Sequence, residues 1–202
     1  MAPIEANQHR RYLAEYLGAG HNFMKFQKQV HEDDIRVVDE SSGEAESDGL
    51  ATFRRGIFLN LTLADCCGIL IYDPKAPAVA ALHSGWRGAH LNIAAKGIRK
   101  MGEWFASSPE DLLVWLTPCA SGENYEVGPE VAEYFPDFAK STDNEKFLLD
   151  LPGAVRAQLM EIGVPNENIE SAGMCTIADD RFHSFRRERG LSGRMAAFIS
   201  LK

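Results

Sequence analysis

Three short apolar segments in the first half of the chain constrain its fold more than any other feature of the sequence. They cover residues 57–61, 69–72 and 79–82, and turn-forming residues such as Asp73-Pro74 separate them. Short runs that are apolar throughout are typical of strands buried on both faces of a sheet. Several connections are too short to contain a helical crossover, so we expect a mixed sheet.

Helical spacing begins after these segments. Ala94, Ile98, Met101 and Phe105 recur at steps of four, three and four, which places them on one face of a helix. A second amphipathic helix is expected around residues 152–163, with a proline in its first turn and a glycine at its end. An opening helix is predicted over 6–17, and extended segments over 23–30, 35–38, 112–116, 169–172 and 195–201. The pattern predicts a single α/β (α+β) layered domain with a mixed β-sheet flanked by helices.

The acidic balance of the chain narrows the classes of partner. With a net charge of -8, neither nucleic acid nor an anionic membrane surface is expected as the main partner, although a local basic pocket is compatible with this charge. Residues 39–48 are acidic and small, and are expected to form a flexible surface loop. No apolar run approaches the roughly 18 residues of a spanning helix, and the first residues lack signal-peptide features, so we expect a cytoplasmic protein.

Two strand ends in the predicted sheet carry metal-binding side chains. Cys66 begins one predicted strand and His83 ends the next, so the two meet at the sheet margin if these strands are neighbours. His31 follows an extended segment and is a third candidate ligand. By spacing alone this trio is a weak signal, because it matches no compact zinc motif. Cys67 should point into the core, and since the cysteines form no CxxC pair, no structural disulfide is expected.

Five stretches around these residues carry a family resemblance. They are KQVH (28–31), ADC (64–66), HSGWRG (83–88), PC (118–119) leading into YEVG (125–128), and SFRR (184–187) with GR (193–194). In this order they resemble the YfiH family, also called the laccase-domain or multicopper polyphenol oxidase family. The resemblance covers most of residues 25–200, and implies that His31, Cys66 and His83 bind one metal ion.

The resemblance also implies a reaction class. Three protein ligands leave one open position on a tetrahedral ion, the arrangement of a catalytic zinc site, where bound water becomes a nucleophile near neutral pH. Purine nucleoside phosphorolysis and adenosine deamination have been assigned to the family, alongside an older phenol-oxidase activity that requires copper. We therefore expect a zinc-dependent enzyme that acts on a purine nucleoside and phosphate, as a monomer or homodimer.

Residues next to the expected ligands are candidates for substrate contact. Asp65 is either a proton carrier that supports a ligand or a strand-end cap. Arg87 suits phosphate or ribose recognition, with a structural salt bridge as the alternative. Gln29 would share the face of His31 in an extended strand. Cys119 follows a strand end and is expected at the pocket border, with a buried structural thiol as the alternative. Solvated or structural roles are favoured for the remaining candidates, which are Trp86, Arg186, Arg187, Arg194, Cys175, His9, His21, His90 and His183.

Two other functions remain open from the sequence. Copper also suits two histidines and a cysteine, but the chain has 6 histidines, which leave too few for a trinuclear copper cluster beside this site. A second alternative is a metal-binding protein with little turnover. Family members carry a longer N-terminal part with an STRxGG-like motif, whereas only about 30 residues precede His31. We expect one catalytic domain over residues 1–202, shortened at its N-terminus.

Overall fold

The computed structural model describes residues 3–202, with side chains from residue 8 onward except that of residue 21. The strands are β1 (Met24–Lys25), β2 (Ile35–Val37), β3 (Gly49–Thr52), β4 (Phe58–Leu63), β5 (Cys67–Asp73), β6 (Ala78–Ser84), β7 (Leu113–Leu116), β8 (Glu126–Val127), β9 (Ala139–Ser141), β10 (Phe147–Leu149), β11 (Ile169–Ser171) and β12 (Met195–Ser200). The helices are α1 (Pro3–Tyr16), α2 (Trp86–His90), α3 (Ile93–Phe105), α4 (Pro129–Ala132), α5 (Leu151–Glu161) and α6 (Phe185–Glu188). The predicted helices and most predicted strands are therefore confirmed.

The largest sheet has six strands in the order β11-β7-β5-β6-β3-β2. Its central pairs are antiparallel and its two outer pairs are parallel, so the predicted mixed sheet is confirmed. Helices α3 and α5 pack together on one face. Gly97 permits the close approach of α3, because a side chain at this position would overlap Leu82 of β6.

A second sheet, in the order β1-β4-β12, packs on the opposite face of the six-stranded sheet. Leu59, Leu61 and Leu63 of β4 point into this interface, where they join Leu70 and Val79 in a buried apolar cluster. The first apolar segment therefore does not lie in the same sheet as the next two. Strands β8, β10 and β9 form a small third sheet.

Two local expectations differ from the structure. The extended segment over 23–30 is limited to the two residues of β1. Beyond them Lys28 forms an isolated bridge with Glu46, and the N–H groups of residues 30–32 bond to the side chain of Asp48. The loop over 39–48 is not solvated to its end: Ser47 and Asp48 are fully buried, and the buried strand β3, which we did not predict, follows at once.

None of the described helices is both long and apolar enough to cross a membrane. All four cysteines are free.

Candidate metal centre

The sheet register brings the three expected ligands together. In the antiparallel pair of β5 and β6, Gly68 lies opposite His83, so Cys66, just before β5, is held beside the end of β6. His31 approaches from the loop after β1. The ligand atoms of His31, Cys66 and His83 all lie within 4.8 Å of one another, and the two imidazole rings are nearly perpendicular, with centroids 4.8 Å apart.

Unusual backbone conformations surround this trio. His31 and Asp65 have positive φ angles of 64° and 85°, which residues other than glycine rarely adopt. Such strain persists only where the surrounding contacts enforce it, and it concentrates at functional sites. Gly85 completes the packing, because a Cβ there would lie 3.0 Å from the sulfur of Cys66. The backbone around the trio therefore adopts unfavourable conformations that place the ligands close together.

Asp48 is the residue that holds the centre in place, and the sequence reading missed it. Its carboxylate accepts hydrogen bonds from the backbone N–H groups of Val30, His31 and Glu32 at 2.9 to 3.1 Å. The same carboxylate lies 2.7 Å from Nδ1 of His83. This contact leaves Nε2 of His83 for the other two ligands, His31 and Cys66. A carboxylate bound to the other ring nitrogen of a histidine is the usual way in which a metal ligand is oriented. The one signal in the sequence is the position of Asp48 directly before the apolar segment of β3.

The trio favours a thiolate over a thiol. Burial alone would raise the pKa of Cys66, but hydrogen bonds from His31 and His83 outweigh it and lower the pKa to about 6. Burial alone would lower the pKa of His83, yet its contacts with Asp48 and Cys66 raise that pKa to about 9. The thiolate is the form of cysteine that binds a metal ion.

The centre opens into a cavity of about 560 Å³. In its wall three exposed arginines each lie over an aromatic ring, a cation–π arrangement. The pairs are Arg87 with Trp86 at 4.4 Å, Arg186 with Tyr125 at 5.1 Å and Arg194 with Phe185 at 5.6 Å, from the guanidinium carbon to the ring centroid. Although the chain is acidic, this pocket is locally basic.

These arginines differ in how far the protein already uses them. The guanidinium of Arg87 has no hydrogen bond or ion pair among the described residues, so the alternative of a structural salt bridge finds no partner there. Arg186 donates to the carbonyl of Glu126, and Arg194 donates to the nearby carbonyls of residues 192 and 193. Both also line the cavity, although the sequence favours solvated or structural roles for them. Arg187 instead binds backbone carbonyls of residues 176–182 and has a structural role.

Asp65 lies in the cavity wall with both carboxylate oxygens engaged. One accepts from the hydroxyl of Thr176 at 2.7 Å, and the other accepts from the backbone N–H of Arg186 at 2.6 Å. Asp65 thus ties the cysteine loop to the segment that carries Arg186. Neighbouring Tyr125 has its pKa raised to about 12, mainly by burial.

Two candidates for substrate contact have different surroundings from those expected. Gln29 lines the cavity, but His31 is not extended, and both amide atoms of Gln29 bond to the backbone of Thr62, at 2.7 and 2.9 Å. Cys119 does not line the cavity. It is buried in the core against Cys67, where their hydrogen bond and burial raise the pKa of the Cys67 thiol. The core position of Cys67 agrees with the prediction. Cys119 is not at the pocket border, and its position agrees with the alternative of a buried structural thiol.

The remaining candidates lie apart from the trio, except Trp86, which lines the cavity wall. Tyr134 contacts both Trp86 and His90, and His183 is paired with Glu188. Cys175 accepts a hydrogen bond from the backbone of Ser121. His9 is exposed on α1, and the side chain of His21 lies outside the described residues.

Comparison with known proteins gives one family. Residues 2–202 match the family model described as multi-copper polyphenol oxidoreductase laccase. A Corynebacterium glutamicum protein named purine nucleoside phosphorylase is 32% identical, over 98% of this chain and 82% of its own. Bacillus subtilis YlmD, named purine nucleoside phosphorylase, is 30% identical over 96% and 77%.

Solved structures give the same result for the fold. YfiH from Bacillus licheniformis superposes with a TM-score of 0.91 at 30% identity, over 96% of this chain and 80% of its own. YlmD from Geobacillus stearothermophilus superposes with a TM-score of 0.90 at 32% identity, over 96% and 78%.

Proposed function

The chain belongs to the multi-copper polyphenol oxidoreductase laccase family, and from this membership we propose that residues 1–202 form one catalytic domain that phosphorolyses purine nucleosides in the cytoplasm with the help of one zinc ion. The observation that carries the proposal is the combination of a three-ligand centre with a basic cavity wall. Relatives named purine nucleoside phosphorylase support the choice of substrate.

The chemistry of the three side chains fits zinc. Two imidazoles and one thiolate are common zinc ligands, and three protein ligands leave a position open to substrate or water. His31, Cys66 and His83 would hold the ion, and Asp48 would fix the ring of His83 through its Nδ1–H. When bound, the ion supplies a Lewis acid at the base of the cavity.

The arginines supply the anion site that phosphorolysis needs. Phosphate is held by the guanidinium of Arg87, which is free to form a bidentate contact, and Arg186 and Arg194 add positive charge to the same cavity wall. An oxygen of that phosphate forms a bond to C1′ of the ribose while the bond from C1′ to the base nitrogen breaks. The base leaves with the electron pair and takes up a proton. Asp65 acts on this step by holding the backbone of Arg186 against the cavity.

Two further reactions fit the same centre. Adenosine deamination, in which an oxygen from water replaces the 6-amino group, is proposed as a second activity, since a metal ion that activates water suits it. Copper-dependent phenol oxidation is the alternative that the family description favours. The described residues offer one group of three close ligands, the trio itself, for that chemistry.

The proposal is tested with protein purified without added metal. We expect about one zinc per chain, and release of base with ribose 1-phosphate from inosine or adenosine only when phosphate is present. Chelated protein should lose this turnover and regain it with zinc. Several coppers per chain, with phenol oxidation in proportion, would favour the oxidase. Bound metal without turnover of any nucleoside would favour a metal-binding protein.

A further inference from the structure

Two cysteines that the metal centre does not use are neighbours in the fold. Cys119 and Cys175 are paired across an isolated parallel bridge. The N–H of Cys119 donates to the carbonyl of Met174 at 3.3 Å, and the N–H of Thr176 donates to the carbonyl of Cys119 at 3.0 Å. Paired strands lie about 4.8 Å apart, and a disulfide joins residues whose Cα atoms are roughly 4.4–6.8 Å apart. The backbone therefore brings these two cysteines within reach of a disulfide.

The two thiols differ in access and environment. Cys119 is buried, whereas Cys175 is half-buried and lines a cavity of about 440 Å³ that shares no lining residue with the cavity of the metal centre. The Sγ atom of Cys175 accepts a hydrogen bond from the backbone N–H of Ser121 at 3.4 Å, so it reaches towards the segment that carries Cys119. Burial alone would raise the pKa of Cys175, but hydrogen bonds from Ser121 and from the backbone of residues 177 and 178 outweigh it and lower that pKa. A small oxidant in this cavity meets a thiol that ionises readily, the kind of cysteine that is oxidised first.

The pair is connected to the metal centre through Asp65. The backbone N–H of the residue after Cys119 donates to the backbone carbonyl of Asp65 at 2.9 Å. The hydroxyl of Thr176, next to Cys175, donates to the carboxylate of Asp65 at 2.7 Å. Asp65 directly precedes the ligand Cys66 and has a positive φ, which only the surrounding contacts maintain. A shift of either cysteine of the pair is therefore transmitted to the loop that carries Cys66.

We propose that Cys119 and Cys175 form a redox-sensitive thiol pair, which a hydroperoxide converts into a disulfide that weakens metal binding at the proposed centre. The thiolate of Cys175 attacks an oxygen of the hydroperoxide, the O–O bond breaks, and the sulfur becomes a sulfenic acid while water or an alcohol leaves. The thiol of Cys119 then attacks this sulfur, and the S–O bond breaks as the disulfide forms and water leaves. The two sulfurs lose two electrons, which reduce the hydroperoxide, and the protons of both thiols leave with its oxygens.

The resulting disulfide should be easy to reduce. Residues paired directly across two strands carry their Cβ atoms about as far apart as the strands, whereas a disulfide needs roughly 3.5–4.5 Å. Cys119 must also turn away from Cys67, with which it shares a hydrogen bond. Such strain makes a disulfide more reducible, which suits a regulatory pair and not a permanent bridge.

The test treats zinc-loaded wild-type protein with hydrogen peroxide and counts free thiols by alkylation after unfolding. Reduced protein should give four free thiols and treated protein two fewer, with a crosslink between Cys119 and Cys175 in the peptide map that a dithiol reverses. Competition with a chelator should show a metal affinity about tenfold lower in the crosslinked protein, restored on reduction. No crosslink, a crosslink that includes Cys66 or Cys67, or the expected crosslink with unchanged metal affinity would overturn the inference.

Matched variants identify the two sulfurs. After the same treatment, Cys175→Ser should keep its remaining thiols and its metal affinity. Cys119→Ser lacks the second thiol, so the sulfenic acid of Cys175 should persist and be trapped by dimedone. Cys67→Ser should form the crosslink as wild type does, because it removes only the core neighbour of Cys119. A reduced wild type that binds no zinc would refute the proposed metal centre, whereas zinc binding without a crosslink would refute only the thiol pair.

Discussion

The metal centre and the arginine wall face the same cavity but are built in opposite ways. At the centre, Asp48 and His83 are buried and bonded to each other, and the backbone of His31 is held at a positive φ. At the wall, Arg87, Arg186 and Arg194 are exposed, and among the described residues the guanidinium of Arg87 has a cation–π contact with Trp86 and no hydrogen bond or ion pair. The fold fixes the centre before a ligand binds, whereas the wall keeps its charge available. Substitutions at the centre should therefore impair function far more than substitutions at the wall.

The largest effect is expected for Cys66→Ser. A hydroxyl is a much poorer ligand for zinc than a thiolate, so most of the bound metal should be lost while the fold survives. Metal content per chain is the measurement. Cys67→Ser is the matched control, because this neighbouring thiol is buried in the core and should affect packing alone. Near-stoichiometric metal in folded Cys66→Ser protein would remove Cys66 from the centre.

The next largest effect is expected for Asp48→Asn. The amide cannot both accept the backbone N–H bonds and hold His83 as the carboxylate does, and the loss of such a partner typically costs roughly 10- to 100-fold in metal affinity. Competition with a chelator measures the affinity. Asp39→Asn is the control, because Asp39 lies in the same loop and its carboxylate is hydrogen-bonded to Ser41 and Ser42 instead of to the metal centre. Equal affinities in the two variants would show that Asp48 does not orient the centre.

The centre and the wall also differ in how much of each could be predicted from the sequence. Apolar runs predicted the strands, and strand ends that meet at a sheet margin predicted that Cys66 and His83 lie close together, whereas the full trio with His31 came from the family resemblance. Asp48 was missed because its acidic neighbours look solvated, and nothing local shows that the chain turns back to bury it. Arg186 is paired with Tyr125 across a long stretch of chain. Such pairings depend on tertiary structure, which short-range patterns do not contain.

A smaller effect is expected at the wall. Arg87→Ala should raise the KM for phosphate about tenfold, because one charge-assisted contact is lost while the metal centre stays intact. Steady-state kinetics at varied phosphate concentration, with metal content measured in parallel, provide the check. In the control Arg156→Ala, the lost guanidinium binds Asn166 and Ile169 outside the cavity, so thermal stability should fall without a change in KM. An unaltered phosphate dependence in Arg87→Ala would assign Arg87 another role.

The smallest effect should come from an arginine that the protein has already neutralised. Arg10 lines the same cavity, but its guanidinium is bound to Glu44 by two hydrogen bonds, at 2.7 and 3.2 Å. Glu44→Gln removes the opposing charge and leaves Arg10 available to phosphate, as Arg87 already is. Because the pair is exposed, the free energy of unfolding should change by no more than about 1 kcal/mol.

Release of Arg10 should lower the KM for phosphate roughly two- to threefold at low ionic strength, and added salt should cancel the gain because exposed charges are screened. Glu103→Gln is the control: it makes the same change in net charge, but it frees Lys100 on α3, outside the cavity lining. If both variants lowered KM equally, overall charge would be the cause. A gain confined to Glu44→Gln would mean that the wall binds phosphate through whichever guanidiniums are unpaired, and that pairing, not position alone, sets the difference between Arg10 and Arg87.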